Sequence, residues 1–230
     1  MINKEEEYAK MYHIEEKLWW YRTLHRKVIN QIITHFGSEN KTVKILDAAC
    51  GTGGLIRTLL KSGYKEVNGF DYSKFAIAFA QRALDNIEFG DLKNLQAYRA
   101  EEKYDVICCM DALYFLTDKE IEDALFEFKK RLNPNGILLL NIHAFEIFSG
   151  MHDVAIGSTK RFVLSDFEKY SQSAGLKITY HTYWPFLLAV PILVVRQLQK
   201  IKLRFTKVEI DEAKSDVNYP GDFLNNLFHS

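Results

Sequence analysis

The spacing of apolar and polar positions changes along the chain and predicts its helices and strands. Between residues 5 and 36 apolar side chains recur at helical spacing, which predicts a leader helix that ends at Gly37. Farther on, short apolar runs alternate with amphipathic segments. The runs predicted to be buried strands are 43–46, 66–70, 87–90, 104–110 and 137–142. This alternation is typical of a parallel sheet covered by helices on both faces.

The end of the sheet is less well defined by the pattern. A helix predicted to start near Ser165 ends at Gly175, and residues 176–184 are predicted to follow as a sixth strand. Either residues 204–210 supply a seventh strand, or the sheet lacks it and leaves an exposed edge. The sequence leaves both alternatives open.

Composition limits what such a domain binds. Lys plus Arg and Asp plus Glu both number 30, and this balance argues against a nucleic-acid partner. The three cysteines, Cys50, Cys108 and Cys109, show no metal-ligand spacing, so no metal site is expected. The acidic N-terminus lacks the features of a signal peptide, and together these features predict a cytoplasmic protein.

The stretch ILDAACGTGG, residues 45–54, carries the sharpest chemical signal. Gly51 and Gly53 fall in the turn after the first strand, where the absence of a Cβ lets a ligand approach the backbone. Asp47 ends that strand, and a carboxylate there would repel a pyrophosphate. The sequence therefore favours a ligand with a cationic group, an ammonium or a sulfonium, over a dinucleotide.

Two more acids end the next two predicted strands. Asp71 closes the second strand, where a carboxylate can accept hydrogen bonds from both hydroxyls of a ribose. Asp91 follows the third strand, where it can serve as an acceptor for an adenine amino group. Three acids in this order beside a glycine turn predict a nucleoside-type site at the carboxyl edge of the sheet.

Taken in order, these motifs resemble those of the class I S-adenosylmethionine-dependent methyltransferases. The likeness rests on ILDAACGTG, GFDYS, FGDL, YDVICCMDALYFLTD and RLNPNGILLLNI, within residues 43–142. It implies a doubly wound α/β fold with a mostly parallel, Rossmann-like sheet of seven strands in the order 3-2-1-4-5-7-6. It also implies S-adenosylmethionine as the cofactor and methyl transfer as the activity.

The resemblance also implies cofactor contacts. Asp47 and the turn with Ala49, Gly51 and Gly53 would face the methionine portion, and Asp71 would bind the ribose. The residues that would surround the adenine and close the site are Tyr72, Asp91, Leu92, Met110 and Asp111.

The chain is predicted to have three parts. Residues 1–37 would form an N-terminal helical lid, residues 38–183 the catalytic core, and residues 184–230 an apolar and basic extension packed on the core. In the lid, Trp20 would present its ring to the sulfonium and Arg22 would pair with the cofactor carboxylate, unless these side chains only pack.

Candidate catalytic residues follow the fourth and fifth strands. A base is needed only when the acceptor must lose a proton, as a hydroxyl does. His143 ends the fifth strand, and His152 with Asp153 lies in the insert that follows. Tyr114 stands where many small-molecule methyltransferases carry a Glu-His pair, which leaves the acceptor chemistry open.

The predicted function is methyl transfer from S-adenosylmethionine to a small-molecule or lipid-like acceptor, with oxygen as the favoured atom. One alternative is an inactive S-adenosylmethionine-binding partner subunit. Another is a nicotinamide oxidoreductase, which Asp47 argues against. Residues 184–204 join an apolar stretch to several cations, so they are either a core or subunit contact or a peripheral membrane contact.

Overall fold

The computed structural model describes residues 5–150, 153, 156–158, 160–185, 189–190, 193–195 and 197. These residues fall into two compact units. The first, called the sheet unit here, comprises residues 5–110 and 127–141. The second unit comprises residues 111–126 and the described residues from 142 onward.

The sheet unit is built on a parallel sheet of five strands. They are β1 (Ile45–Ala48), β2 (Val67–Asp71), β3 (Ile87–Phe89), β4 (Tyr104–Met110) and β5 (Leu132–Asn141), in the order β3-β2-β1-β4-β5. All four pairings are parallel. The strand order reverses between β1 and β4, which is where open α/β sheets bind ligands at their carboxyl edge.

Six helices whose two ends both lie within the described residues accompany these strands. They are α1 (Glu5–Ile14), α2 (Trp19–Phe36), α3 (Gly54–Lys61), α4 (Lys74–Ala80), α5 (Asp118–Arg131) and α6 (Leu164–Ser173). Short 3₁₀ turns cover Leu92–Ala97, Leu113–Phe115 and Glu146–Phe148. Helices α1 to α4 belong to the sheet unit, and the division between the units falls within α5.

One apolar cluster holds the helices of the sheet unit against the strands. Val28 and Ile32 of α2 and Ile56 and Leu59 of α3 are buried in the same cluster as the side chains of β1, β2 and β4. Cys108 belongs to it as well. The α/β sheet expected from alternating apolar runs is thus confirmed.

The leader differs from the single helix that its periodicity predicts. Helix α1 ends at Ile14 and α2 begins at Trp19, with a turn between them. Glu15, in this break, is only 5% exposed. A buried carboxylate needs polar partners, and Glu15 finds them outside the leader, in the turn that follows β1. A straight leader helix is therefore the wrong prediction.

The predicted sixth strand is also wrong. Residues 176–184 have no strand structure, and most of their side chains are exposed. A strand requires a neighbouring backbone to pair with, and no described strand pairs with this segment. Residues 204–210, the candidate for a seventh strand, lie outside the described residues. Five of the seven expected strands are therefore present in the described part of the chain.

Candidate functional site

Asp71 fixes the glycine turn that follows β1. Its carboxylate is 8% exposed. Oδ2 accepts a hydrogen bond from the N–H of Gly51 at 2.9 Å, and Oδ1 accepts one from the N–H of Ser73 at 2.8 Å. Burial raises the pKa of Asp71, although these backbone donors oppose the shift. The carboxylate thus holds two loops of the carboxyl edge, one after β1 and one after β2.

The turn needs residues that tolerate positive φ. Ala49, Gly51 and Gly53 have φ values of 60°, 55° and 81°. Such values are uncommon for residues with a Cβ. A Cβ on Gly53 would also lie 2.6 Å from Cδ1 of Leu84, so that position has no room for a side chain.

Asp47 lies in β1, between Gly69 of β2 and Cys108 of β4 in the register of the sheet. Its side chain is 2% exposed. Within the part of the chain that the structure describes, no hydrogen bond or ion pair reaches this carboxylate. Burial, followed by the negative charges of Glu15 and Asp71, raises its pKa well above the ordinary range. A buried carboxylate without a partner is costly, so a cationic ligand would complete this position.

Glu15 brings a third carboxylate to the same turn. It accepts hydrogen bonds from the Thr52 hydroxyl, from Nη2 of Arg57 at 3.1 Å, and from the backbone of Gly54. Gly54 is the first residue of α3, so Glu15 occupies the helix N-terminus where a nucleotide phosphate commonly binds. A Cβ on Gly54 would lie 2.5 Å from Cδ of Glu15, which explains the glycine there.

Arg57 connects the leader to the turn. Besides its bond to Glu15, it donates from Nη1 to the carbonyl of Thr52 at 2.7 Å and from Nε to Glu16 at 2.8 Å. Its guanidinium also lies over the ring of Tyr12, 4.9 Å from the centroid. One buried cation therefore ties the end of α1 to the glycine turn.

Two exposed aromatic rings stand at the ends of β2 and β3. Tyr72 is 49% exposed and Phe89 is 57% exposed, and their centroids lie 5.7 Å apart. Asp91 accepts a hydrogen bond from the N–H of Lys93 at 2.9 Å and caps the 3₁₀ turn that Leu92 begins. The rings offer an apolar surface of the kind that stacks with a base.

The remaining predicted cofactor residues lie at the end of β4 and on α2. Met110 ends β4, and Asp111 follows it with a φ of 52° as the first residue of the second unit. Trp20 and Arg22 lie in the first turn of α2 and are half-buried. Their roles as cofactor contacts remain predictions.

In the second unit, His143 lies beside Asp153. Nδ1 of His143 is 3.6 Å from Oδ1 of Asp153. The same carboxylate accepts two hydrogen bonds from Arg161, at 3.0 and 3.1 Å, and one from the N–H of Gly150 at 2.7 Å. Burial opposes ionisation of Asp153, but His143 and Arg161 outweigh it and hold its pKa below the usual range. Asp153 therefore stays a carboxylate at neutral pH.

The ring of Tyr114 stacks on the imidazole of His143. Their centroids are 4.3 Å apart and their planes differ by 18°. Of the four predicted catalytic residues, the structure thus brings Tyr114, His143 and Asp153 together. His152 lies outside the described residues, and Asp153 contacts His143, Arg161 and the N–H of Gly150.

Sequence reasoning missed Glu15, Arg57 and Phe89. Glu15 could have been found from the sequence. It occupies the position between Met11 and Leu18 on the apolar face that begins at Tyr8, where an apolar side chain is expected. A charged residue in an apolar stripe indicates a buried polar contact.

Comparisons with known proteins agree with this geometry. Residues 45–136 match the family model described as a methyltransferase domain. Residues 45–136 therefore form a methyltransferase domain, and the described fold is that of the S-adenosylmethionine-dependent methyltransferases.

Two relatives show how far the likeness extends. The chain is 30% identical over 106 residues to a putative methyltransferase, YqeM, of Bacillus subtilis, covering 44% of this chain and 42% of that protein. It is 28% identical over 171 residues to a malonyl-[acyl-carrier protein] O-methyltransferase of Halalkalibacterium halodurans, covering 69% of this chain and 60% of that protein. The chain thus spans about half the length of these relatives.

Solved structures share the fold. A putative methyltransferase of Haloferax volcanii, solved with the Trm112 activator, superposes with a TM-score of 0.61 at 19% identity, covering 77% of this chain and 76% of that one. An S-adenosylmethionine-dependent methyltransferase of Clostridium acetobutylicum gives a TM-score of 0.57 at 18% identity, covering 75% and 89%.

Proposed function

We propose that this chain transfers a methyl group from S-adenosylmethionine to an oxygen atom of a small-molecule or lipid-like acceptor. The observation that carries the cofactor part is the carboxylate of Asp47, which is buried at the carboxyl edge without a described partner. A ligand with a sulfonium and an ammonium supplies the positive charge that this position lacks. The residues of the site therefore fit the cofactor.

Each part of the site would bind a different part of the cofactor. Asp71 accepts backbone hydrogen bonds from Gly51, Ser73 and Tyr72, and since a carboxylate offers about four lone-pair sites, one remains for a ribose hydroxyl. Tyr72 and Phe89 would pack on the adenine. When bound, the cofactor supplies the electrophilic methyl group, while the protein aligns the reactants and excludes water.

Glu15 argues against the nicotinamide alternative. Its carboxylate accepts a hydrogen bond from the N-terminus of α3, where the pyrophosphate of a dinucleotide would otherwise bind. A phosphate brought to this place would meet like charge in a buried setting.

The pair of His143 and Asp153 favours a hydroxyl acceptor. With Asp153 ionised beside Nδ1, the imidazole is favoured in the tautomer that carries its proton there, so that Nε2 can accept a proton from a hydroxyl. The Halalkalibacterium relative is named an O-methyltransferase, which supports oxygen as the acceptor atom. Since an ionised carboxylate needs no base, the histidine argues for a hydroxyl over a carboxylate.

The lipid-like part of the proposal rests on residues 184–204. Most of this segment lies outside the described residues, but Val190, Val194 and Val195 are exposed. Exposed apolar side chains followed by cations suit the surface of an anionic membrane. No helix within the described residues has both the length and the apolarity to cross a membrane. A cytoplasmic location and peripheral membrane contact through residues 184–204 are part of the proposal.

Two measurements test the proposed function. Titration calorimetry with S-adenosylmethionine, S-adenosylhomocysteine and NAD should show binding of the first two and not the third. A transfer assay with labelled S-adenosylmethionine should then compare hydroxyl-bearing and carboxylate-bearing acceptors, including lipids, and label the hydroxyl compounds. Binding of NAD alone would refute the cofactor assignment. Binding of S-adenosylmethionine with no transfer to any acceptor would instead support the partner-subunit alternative.

A further inference from the structure

We propose that binding of S-adenosylmethionine displaces a proton from the carboxylates of Glu15, Asp47 and Asp71, so that the preference for S-adenosylmethionine over S-adenosylhomocysteine widens as the pH rises. This proposal rests on the proposed function and concerns the same site. It adds a leader residue to the site and predicts how the cofactor is told apart from its product.

The three carboxylates surround one short turn. Asp71 accepts a hydrogen bond from Gly51 at the start of this turn, and Glu15 binds Thr52 and Gly54 at its end. Asp47 lies at the end of β1, just before the turn, and the charges of Glu15 and Asp71 both act on it.

Cations are scarce around these carboxylates. The titratable groups that face them from the leader, the turn, α3 and β4 are Tyr8, Glu16, His25, Cys50, Arg57 and Cys108. Burial raises the pKa of Tyr8 to about 12, raises that of both thiols and lowers that of His25 to about 4, so these groups are neutral near pH 7. Arg57 is then the cation among them, and it is shared with Glu16.

Asp47 is the group that holds the proton. Glu15 and Asp71 are stabilised as carboxylates by hydrogen-bond donors, whereas Asp47 has no described partner. In the free protein the proton on Asp47 reduces the repulsion among the three acids. A cationic ligand can take over this role and release the proton to solvent.

The cofactor and its product differ in this respect. S-adenosylmethionine carries a sulfonium and an ammonium against one carboxylate, whereas S-adenosylhomocysteine has lost the sulfonium charge. The product therefore offsets the negative charge of the three acids less completely. Asp47 then stays protonated in a larger fraction of the molecules. As the pH rises, the free site becomes more negative, which strengthens binding of the cationic cofactor relative to the neutral product. Product release is favoured by the same charge difference.

The test measures affinity and proton release together. Calorimetry from about pH 6 to about pH 8.5, in buffers of different ionisation enthalpy, should show more protons released by S-adenosylmethionine than by S-adenosylhomocysteine. The ratio of the two affinities should rise across this range, by at most about tenfold per pH unit for a single proton.

Two variants test whether the three carboxylates cause the pH dependence of the affinity ratio. Glu15→Gln should flatten the rise of the affinity ratio with pH, because one acid of the cluster is gone. Asp85→Asn is the control, since Asp85 is an exposed acid of the same unit, and it should keep the wild-type slope. If Glu15→Gln does not fold, Asp47→Asn measures the same loss of slope.

The outcomes separate this proposal from the proposed function. If S-adenosylmethionine binds and the affinity ratio is the same at every pH, proton linkage is refuted while the methyltransferase assignment stands. If neither compound binds at any pH, the proposed function itself is refuted.

Discussion

The carboxylate of Asp71, at the end of β2, accepts a hydrogen bond from the backbone N–H of Gly51 at 2.9 Å. Twenty positions separate the two residues, and the bond links the loop after β2 to the turn after β1. The acid predicted to bind a ribose is therefore also a structural part of the turn. Ligand binding and local folding share one side chain.

Replacing Asp71 by Ala should weaken S-adenosylmethionine binding by about 1.5–3 kcal/mol, because the ribose hydroxyls lose a charged acceptor. The N–H groups of Gly51 and Ser73 also lose theirs, so the melting temperature should fall. Calorimetry and thermal unfolding measure the two effects. Asp85→Ala, an exposed acid in the same unit, is the control and should change neither. Unchanged affinity in folded Asp71→Ala would remove Asp71 from the site.

Replacing Gly51 by Val should abolish cofactor binding, because a β-branched residue is strained at a φ of 55° and places a side chain beside the ligand. Gly37→Val is the matched control, since Gly37 has a φ of 86° and nothing within 4 Å of its Cβ position. Both variants should lose about 1–2 kcal/mol of stability. Only Gly51→Val should lose S-adenosylmethionine in calorimetry, and normal binding by it would mean that the turn does not meet the ligand.

Replacing Asp47 by Asn should stabilise the ligand-free protein and weaken its binding of S-adenosylmethionine. Burial raises the pKa of Asp47 in the folded state, so its contribution is favourable at acid pH and is lost as the pH rises through that pKa. Because an asparagine side chain does not ionise, the variant does not lose stability in this way. Thermal unfolding from about pH 4 upward should therefore show a smaller decline in the variant, which keeps the other two carboxyls with a raised pKa, Glu15 and Asp71. A variant less stable than wild type above pH 7 would contradict this account.

Replacing His143 by Gln should lower methyl transfer to hydroxyl acceptors by about 10²–10⁴-fold, the usual contribution of a general base. S-adenosylmethionine affinity should stay the same. Transfer to a carboxylate acceptor, which needs no base, serves as the internal reference, and His181→Gln is the exposed control. An equal loss of rate on both acceptor types would show that His143 positions the substrate and does not remove a proton.

Replacing Leu187 and Leu188 by Ser should reduce binding to anionic vesicles. Both residues lie outside the described part of the chain, within the apolar stretch that precedes the cations of residues 196–204. Flotation should require anionic lipid and weaken with salt, because headgroup attraction is screened. Failure of the wild-type protein to float at low salt would leave a soluble acceptor or a subunit contact as the role of this segment.

The central part of the site was predictable because its contacts follow from local pattern and strand order. Asp47 and Asp71 end neighbouring parallel strands, and the carboxyl ends of such strands meet at one edge whatever the details of packing. Gly51 lies in a turn with positive φ values, and the glycines at positions 51 and 53 indicate such a turn in the sequence.

The remaining parts depend on long-range contacts that periodicity does not encode. Glu15 binds Thr52, 37 positions later in the chain, and does so by breaking a helix that the apolar spacing predicts as continuous. The predicted pair of His152 and Asp153 is not tested, because His152 lies outside the described residues, and the bond of Asp153 to Arg161, eight positions away, has no counterpart in the local pattern. Residues 176–184 have the composition of a strand, but none of the five described strands pairs with them.

The bond between Glu15 and the first turn of α3 also changes what a shortened chain would bind. The family match starts at residue 45, so a truncation guided by it would remove the leader and leave Arg57 beside an open helix N-terminus. A guanidinium and free N–H groups in one place form a receptor for sulfate or phosphate. The leader thus fills a position that suits an anion, and a fragment without it would expose that position beside the remaining acids Asp47 and Asp71.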